Sequence, residues 1–582
     1  MRHALIACLL AVSGTEMACA EPLKAALSVT VAFEDASGRA LTMIPPGEPF
    51  TIRARIANLA GTDPPAGLSL SGWLRPVSSR NLDCADAARA YRATNGLPTN
   101  AIDLNGTVIA VLSEDHGVTL ADPDLNLASA NLIAATTLGS APAAMVADPA
   151  QRRFLVALPD EGVVKAIPAL GGTTSTLAEG LDRPMAIIPG PKGSFWVQQA
   201  RELRLIGGAG TRLAASRVHA SETAPVLAAW GQGLIEVVRL DGEPLLSLAE
   251  PRGLRDALPL AEEGVFSGLV VLRGDHLDLH YADAPDSPIA IPLASTPDKL
   301  AASPDGRWLL AWSQTEGVVE IVDLVHGKVA QAVVAQPGIS AVSFGRNSAY
   351  LMLSDHSKLA AIDLASVQAG RLARLREIAL GNPTSARETE SLLLPLPGDG
   401  GLMAIHPDTS TGFFIHDNPA TGDAPPMTAV SLRGGIPLAA AALDRGFREI
   451  VTGIFETVAV VPDATPFELV ATTGIGSLSF CLPLPGAASD LAKAGPGQIS
   501  ILPEDRGFRL SLTTTDGHPA RVEGAVTFTA LMTGWRRSVT FRTGEDGLTT
   551  QSYVLPAVGP VSVSVAAASG LEFAPAVTGG RP

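Results

Sequence analysis

Four of the ten histidines in this 582-residue chain stand in one recurring context: Glu114-Asp115-His116, Asp275-His276, Asp355-His356 and His406-Pro407-Asp408. Imidazole and carboxylate together are ligands for zinc or copper. His116, His276, His356 and His406 are therefore the candidate metal residues, with Zn or Cu as the cofactor they would take. The same residues have a competing explanation, because Asp, Asn and His tolerate turn geometry better than most residues and Asp-His also arises as plain hairpin chemistry. Zinc holds its nitrogens at about 2.0–2.1 Å while packed sheets lie about 10 Å apart, so the four could share an ion only by reaching toward a common point.

Other chemistry is excluded motif by motif. Without Cys-x-x-Cys-His there is no covalent c-type haem. Neither a Gly-x-Ser-x-Gly elbow nor a P-loop occurs, and isolated carboxylates such as Glu262 and Asp323 form no calcium set. No nucleophile stands in a recognisable pair with a base, so no catalytic residue is assigned. The formal charge of -16, from 42 Lys and Arg against 58 Asp and Glu, argues against nucleic acid as a partner, since phosphate backbones are bound by clustered cations.

The elements that would position these residues are strands. With 57 Gly and 45 Pro punctuating short alternating apolar segments, almost nothing reads as a long helix, and the fold class is all-β. The clearest helical segment runs from Cys84 to Thr94, where Ala-rich sequence follows Asn81 and Asp83, both capable of capping. A repeat fills the middle. Val146-Ala147-Asp148-Pro149, Arg153 to Ala157 and Gly162 to Ile167 match Ala302-Ser303-Pro304-Asp305-Gly306, Trp308 to Trp312 and Gly317 to Asp323 as strand, tight turn, strand, turn, strand. The unit returns in 341–364 and more weakly around Trp196, Ile235, Val270, Met403 and Ile450. Phe154 and Trp196 lie 42 residues apart, as do Trp308 and Tyr350.

A period near forty with about four strands is what a propeller blade needs, because each small sheet is buried on both faces by its neighbours. The count favours eight blades, with seven next. Ser303-Pro304-Asp305-Gly306, the apolar strand after it and Val319-Glu320-Ile321-Val322-Asp323-Leu324 resemble the blade signature of the YVTN and cytochrome d1-like propeller superfamily. The resemblance covers roughly 97–475 and implies a fold; that superfamily supports many activities. A noncovalent haem of the d1 kind would need a basic cluster that the sequence does not display. In a propeller the four histidines fall at turns between second and third strands, hence on one face, and the units of His356, His406 and His116 are consecutive.

Outside the repeat, alternating segments from Ala26 to Arg75 and from Phe508 to Ala567 read as two immunoglobulin-like sandwiches. The expected division is 1–20 signal peptide, 21–80 immunoglobulin-like β domain, 81–481 β-propeller, 482–497 linker and 498–582 C-terminal β-sandwich. The signal reading rests on Met1-Arg2-His3, an apolar run to Val12 and Ala18-Cys19-Ala20 before Glu21. That run is too short to span a membrane, which takes about 20 residues, so no transmembrane anchor is expected. Cys84 and Cys481 would then meet an oxidising compartment and form the candidate disulfide across the central region. The chain is thus expected to be periplasmic, with secretion as an alternative. Its leading reading is a non-catalytic binding or assembly protein that presents a propeller face to an exported protein partner or a small ligand. A metal-handling accessory protein using the histidine face is the alternative, and a propeller hydrolase or oxidoreductase the third.

Overall fold

A strand of five or six apolar residues with large side chains on both faces must be covered on both faces, and the middle of this chain is built from such strands. Trp308–Trp312, Val226–Trp230, Leu402–His406 and Ser348–Leu353 are buried at every position. The computed structural model describes residues 27–578 except 36, 59–67, 79–80, 95, 99, 123–130, 170, 172, 223, 263, 369–370, 385–391, 398–400, 418–426, 474–478, 487–496, 505–506, 515–516, 531–534, 556–560, 568–572 and 574–575. The signal segment 1–20 and most of the expected linker lie outside the described residues.

Eight four-stranded antiparallel sheets follow one another from 107 to 444. Their first strands are Pro437–Asp444, Ala144–Asp148, Ala186–Pro189, Arg217–Ala220, Asp256–Glu262, Lys299–Ala302, Ile339–Phe344 and Leu393–Pro395. Neighbouring first strands meet: Asp256–Glu262, for example, touches both Arg217–Ala220 and Lys299–Ala302. The ring closes through hydrogen bonds, since Pro437–Asp444 pairs with Thr107–Ser113 and so supplies the first strand of the sheet that the chain began over 300 residues earlier. The molecule is a β-propeller. In the sheet that holds Trp308, burial peaks in the middle strands: Lys299–Ala302 is partly open, Trp308–Trp312 and Val318–Asp323 are nearly sealed, and Lys328–Val334 is only partly covered. Phe154, Trp196, Trp308 and Tyr350, the bulky residues of the sequence repeat, all stand in second strands, where sheet meets sheet.

The chain ends do not form the expected N-terminal unit. Pro49–Asn58 pairs on one side with Leu27–Glu34 and on the other with Ile454–Val460, and Leu70–Pro76 pairs with Phe467–Thr473. A body confined to 21–80 is therefore corrected to a pair of sheets built jointly by 27–103 and 448–483. The physical reason lies in the core: alternate residues Phe50, Ile52, Ala54 and Ile56 bury one face of their strand, and Phe455, Ala459, Phe467 and Leu469 supply the apolar surface opposite. Helix Cys84–Thr94 lies against this unit, with Asp83 Oδ1 accepting the amide of Asp86 at 2.8 Å as its cap. Cys84 and Cys481 are joined as a disulfide with Cα atoms 5.7 Å apart. Farther on, Gln498–Glu504 with Gly507–Thr513 and a four-stranded sheet centred on Glu523–Ala530 and Val561–Ala567 enclose a separate core around Phe528, Tyr553 and Phe573.

Buried cations fix the joint unit to the ring. Arg445, just after the closing strand, bonds Asp122 of the ring and reaches Asp103 of the joint unit at 3.1 Å. Beside it Arg152 donates from Nη2 to the Arg445 carbonyl at 2.6 Å and to Thr457 Oγ1 at 2.9 Å. Burial, with the charge of Arg445 adding to it, brings the Arg152 guanidinium down to about 9.

Candidate functional site

Of the four sequence-nominated histidines, His116 and His356 lie in turns between second and third strands, His276 begins a third strand and His406 ends a second, and the four do not converge. His116 and His356 sit in the turns themselves with φ of 60° and 51°, the left-handed conformation that His tolerates. His356 is buried and its Nδ1 lies 3.3 Å from Thr384 Oγ1; His406 is buried with Nε2 donating to the Asn382 carbonyl at 2.8 Å. Both imidazoles thus brace one crossover, the segment that leads from the seventh sheet to the eighth. His276 pairs instead with its own neighbours Asp275 and Asp278 at 2.7 and 3.7 Å. Among the described residues no group of three or more His, Cys, Asp or Glu could hold a metal ion. Where these residues have visible roles, the roles are hairpin geometry and loop anchoring.

Polar groups converge elsewhere, at the centre of the ring. In an antiparallel meander the first strand starts, the second ends and the third starts on the same side, so one face carries the crossovers together with the second-to-third turns. From that face a cavity of about 1080 Å³ runs down the channel. Its wall comes from first strands 217–220, 256–262, 299–302, 339–344 and 393–395, and from Trp230 and Trp312 at the ends of two second strands. At the start of the three first strands that begin near 217, 256 and 299 stand Arg217, Arg255 and Lys299.

Beneath them is a histidine that the repeated Asp-His context did not reveal. His219 Nδ1 lies 3.2 Å from Asp256 Oδ1. Asp256 is buried and its carboxylate is held by backbone amides, Ala257 N to Oδ1 and Leu300 N to Oδ2, both at 2.9 Å. A carboxylate fixed by the backbone of two different sheets orients the imidazole on a third, which is a rigid way to present the other ring nitrogen. Glu222, three residues beyond His219, meets water in the channel yet is crowded by protein. Desolvation holds its carboxyl above the ordinary value, with the His219 charge pulling the other way. His219 and Asp256 are 37 residues apart, and the pairing follows only once the two first strands are known to be neighbours. The available sequence signal was periodic position: each lies within its first strand.

No family model matches this sequence, and no curated protein does. Several solved structures are similar. Apo AztD from Citrobacter koseri is 13% identical, covers 59% of this chain and 98% of its own, and gives a TM-score of 0.43. Sqt1 from Saccharomyces cerevisiae is 10% identical over 60% of this chain and 96% of its own, with a TM-score of 0.40. The dihydro-heme d1 dehydrogenase NirN in complex with DHE is 17% identical over 49% and 76%, with a TM-score of 0.33. At these identities the likeness is one of fold and goes no further.

Proposed function

We propose that this chain is an exported binding protein, built on an eight-bladed ring, that takes a small ligand into the mouth of its propeller channel. The observation that carries the reading is the cavity of about 1080 Å³, open on the crossover face and walled by five first strands, four of which bring polar side chains to it. Ligand sites are concave, few in number and furnished with a small set of placed polar groups, and pockets for drug-sized molecules run to about 1,000 Å³. The Cys84–Cys481 bond supports an oxidising compartment, the periplasm first. No helix among the described residues is long and apolar enough to cross a membrane.

Trp230 and Trp312 line the cavity and report on its contents. Screening the full chain against a library of polar metabolites, by melting temperature and tryptophan fluorescence, is expected to yield compounds that raise the first and change the second. The fluorescence response should vanish in a Trp230→Phe/Trp312→Phe variant. A library that moves neither signal would end this reading.

A further inference from the structure

Three cations and three carboxylates line the channel, Arg217, Arg255 and Lys299 with Asp256, Asp298 and Glu222, and it is how they pair that names the chemistry of what the mouth holds. Arg217 is the first residue of its strand and faces Trp230 across the ladder; Lys299 is the first of its strand and faces Trp312 in the same way. Cross-strand partners project from the same side of a sheet, so the cation and indole stand together twice, in the fourth and sixth sheets. Between them, in the fifth sheet, Arg255 precedes Asp256 and bonds through its amide to the Leu272 carbonyl at 2.9 Å.

In a chain with 16 more acids than bases, these three cations nevertheless have no carboxylate partner among the described residues. Arg217 Nη1 donates to the Arg255 carbonyl at 3.1 Å, and Arg255 Nη1 to the carbonyls of Thr296 and Pro297 at 2.9 and 3.1 Å. The acids that share the cavity keep their charge but bond to groups other than these cations. Asp256 is taken by His219 and two amides, Asp298 Oδ1 accepts the amide of Gln314 at 3.1 Å, and Glu222 stands five residues past Arg217, about 16 Å along an extended strand. Trp230 and Trp312 are only 4% and 6% exposed, and each indole N–H is buried without an acceptor. The indole nitrogens are sealed from the cavity, so the rings give it wall and the cations give it charge, and a site that offers cations without carboxylate partners is completed by anionic oxygen.

We propose that the mouth binds a small polyanion, a molecule with two or more carboxylate or phosphate groups, through Arg217, Arg255 and Lys299 with Trp230 and Trp312 as the walls. The proposal rests on the reading of the channel as a ligand site and gives that site its substrate class. Three cations on three adjacent sheets are spread in an arc, which suits several anionic groups on one compact skeleton better than a single charge.

Citrate and pyrophosphate serve as probes for carboxylate and phosphate chemistry, with glucose as neutral and spermidine as cationic control. In calorimetric titrations of the full chain at low salt, at least one anion is expected to bind and to change tryptophan fluorescence. Lys299→Gln should weaken that binding roughly tenfold, the loss of one charge-assisted hydrogen bond. Arg217→Gln/Lys299→Gln should abolish it, Lys299→Arg should retain it, and raising the salt should weaken it. Failure of both anions to bind, or binding unchanged in the double variant, would each overturn the proposal. A neutral or cationic compound that binds and loses its signal in the Trp230→Phe/Trp312→Phe variant would overturn the anion class while leaving the channel reading intact. Silence from every compound would end both.

Discussion

Two sets of cations divide this molecule. Arg152 and Arg445 are each about 4% exposed, meet the ring and the joint unit at once, and draw Asp103, Asp122 and Thr457 around them. Arg217, Arg255 and Lys299 stand in the open channel, where among the described residues they have carbonyls or nothing as side-chain partners. Desolvating a guanidinium is expensive, and the junction offsets it with carboxylates and carbonyls, which is what a permanent scaffold requires. At the mouth no such compensation was built, because water supplies it until something else arrives. Paired and buried charge holds the two bodies together; unpaired and wet charge waits for a ligand.

Arg445→Met should break the scaffold side most severely. It takes from Asp122, 2% exposed, and from Asp103, whose carboxyl burial already pushes upward, the guanidinium that pairs with both. Removing one partner of a buried pair costs about 3–5 kcal/mol, and that loss should appear as a lower urea midpoint. Removing both, as Arg445→Met/Asp122→Leu, should recover part of the loss, since only Asp103 is then left without the guanidinium that paired with it. A single variant that unfolds with the wild type would erase the distinction. The next largest effect belongs to the disulfide, which closes a loop of 397 residues between the helix and the last strand of the joint unit. Cys84→Ala/Cys481→Ala should cost about 2–4 kcal/mol, read from the melting of the joint unit, while citrate or pyrophosphate binding at the mouth stays unchanged.

The ring was legible in the sequence because a blade is a local object. Its four strands are consecutive, and its bulky second-strand residues recur at a fixed spacing. Ser303-Pro304-Asp305-Gly306 closes a turn in which Ser303 Oγ accepts the Trp308 amide at 2.8 Å and Gly306 takes a φ of 69°. The joint unit was not legible, since Pro49–Asn58 and Ile454–Val460 alternate like any half-buried strands and nothing local says that they pair across 400 residues. The functional residues divided in the same way. Asp355-His356 is visible because its partners are adjacent, and adjacency is what a turn produces. His219 and Asp256 are joined only by the packing of one sheet on the next, as are the three mouth cations, so blade position was the one signal and no local motif marked them.

On the mouth side, effects on the empty protein should be slight. Lys299 is exposed and makes no ion pair among the described residues, so Lys299→Gln should leave the urea midpoint within about 0.5 kcal/mol of wild type while binding falls. A large loss of stability would make Lys299 part of the scaffold and blur the comparison.

The smallest effect concerns Glu222, and its sign is opposite to that of a paired carboxylate. Desolvation raises its folded value above that of the unfolded chain, about 4.3 for a free glutamate. Below that pH both states hold the proton and Glu222 contributes nothing. Between the two values the unfolded chain ionises while the folded one keeps its proton, so the native state binds more protons and stability falls as pH rises. Glu222→Gln has no proton to lose. The variant should match wild type near pH 4, gain on it as pH climbs through the window, and hold a constant advantage above it. Channel water screens the group and keeps that advantage to about 0.5 kcal/mol or less. Urea midpoints of both proteins from pH 4 to 8 measure the difference directly. If the two profiles run parallel throughout, the Glu222 end of the channel is as wet as bulk solvent.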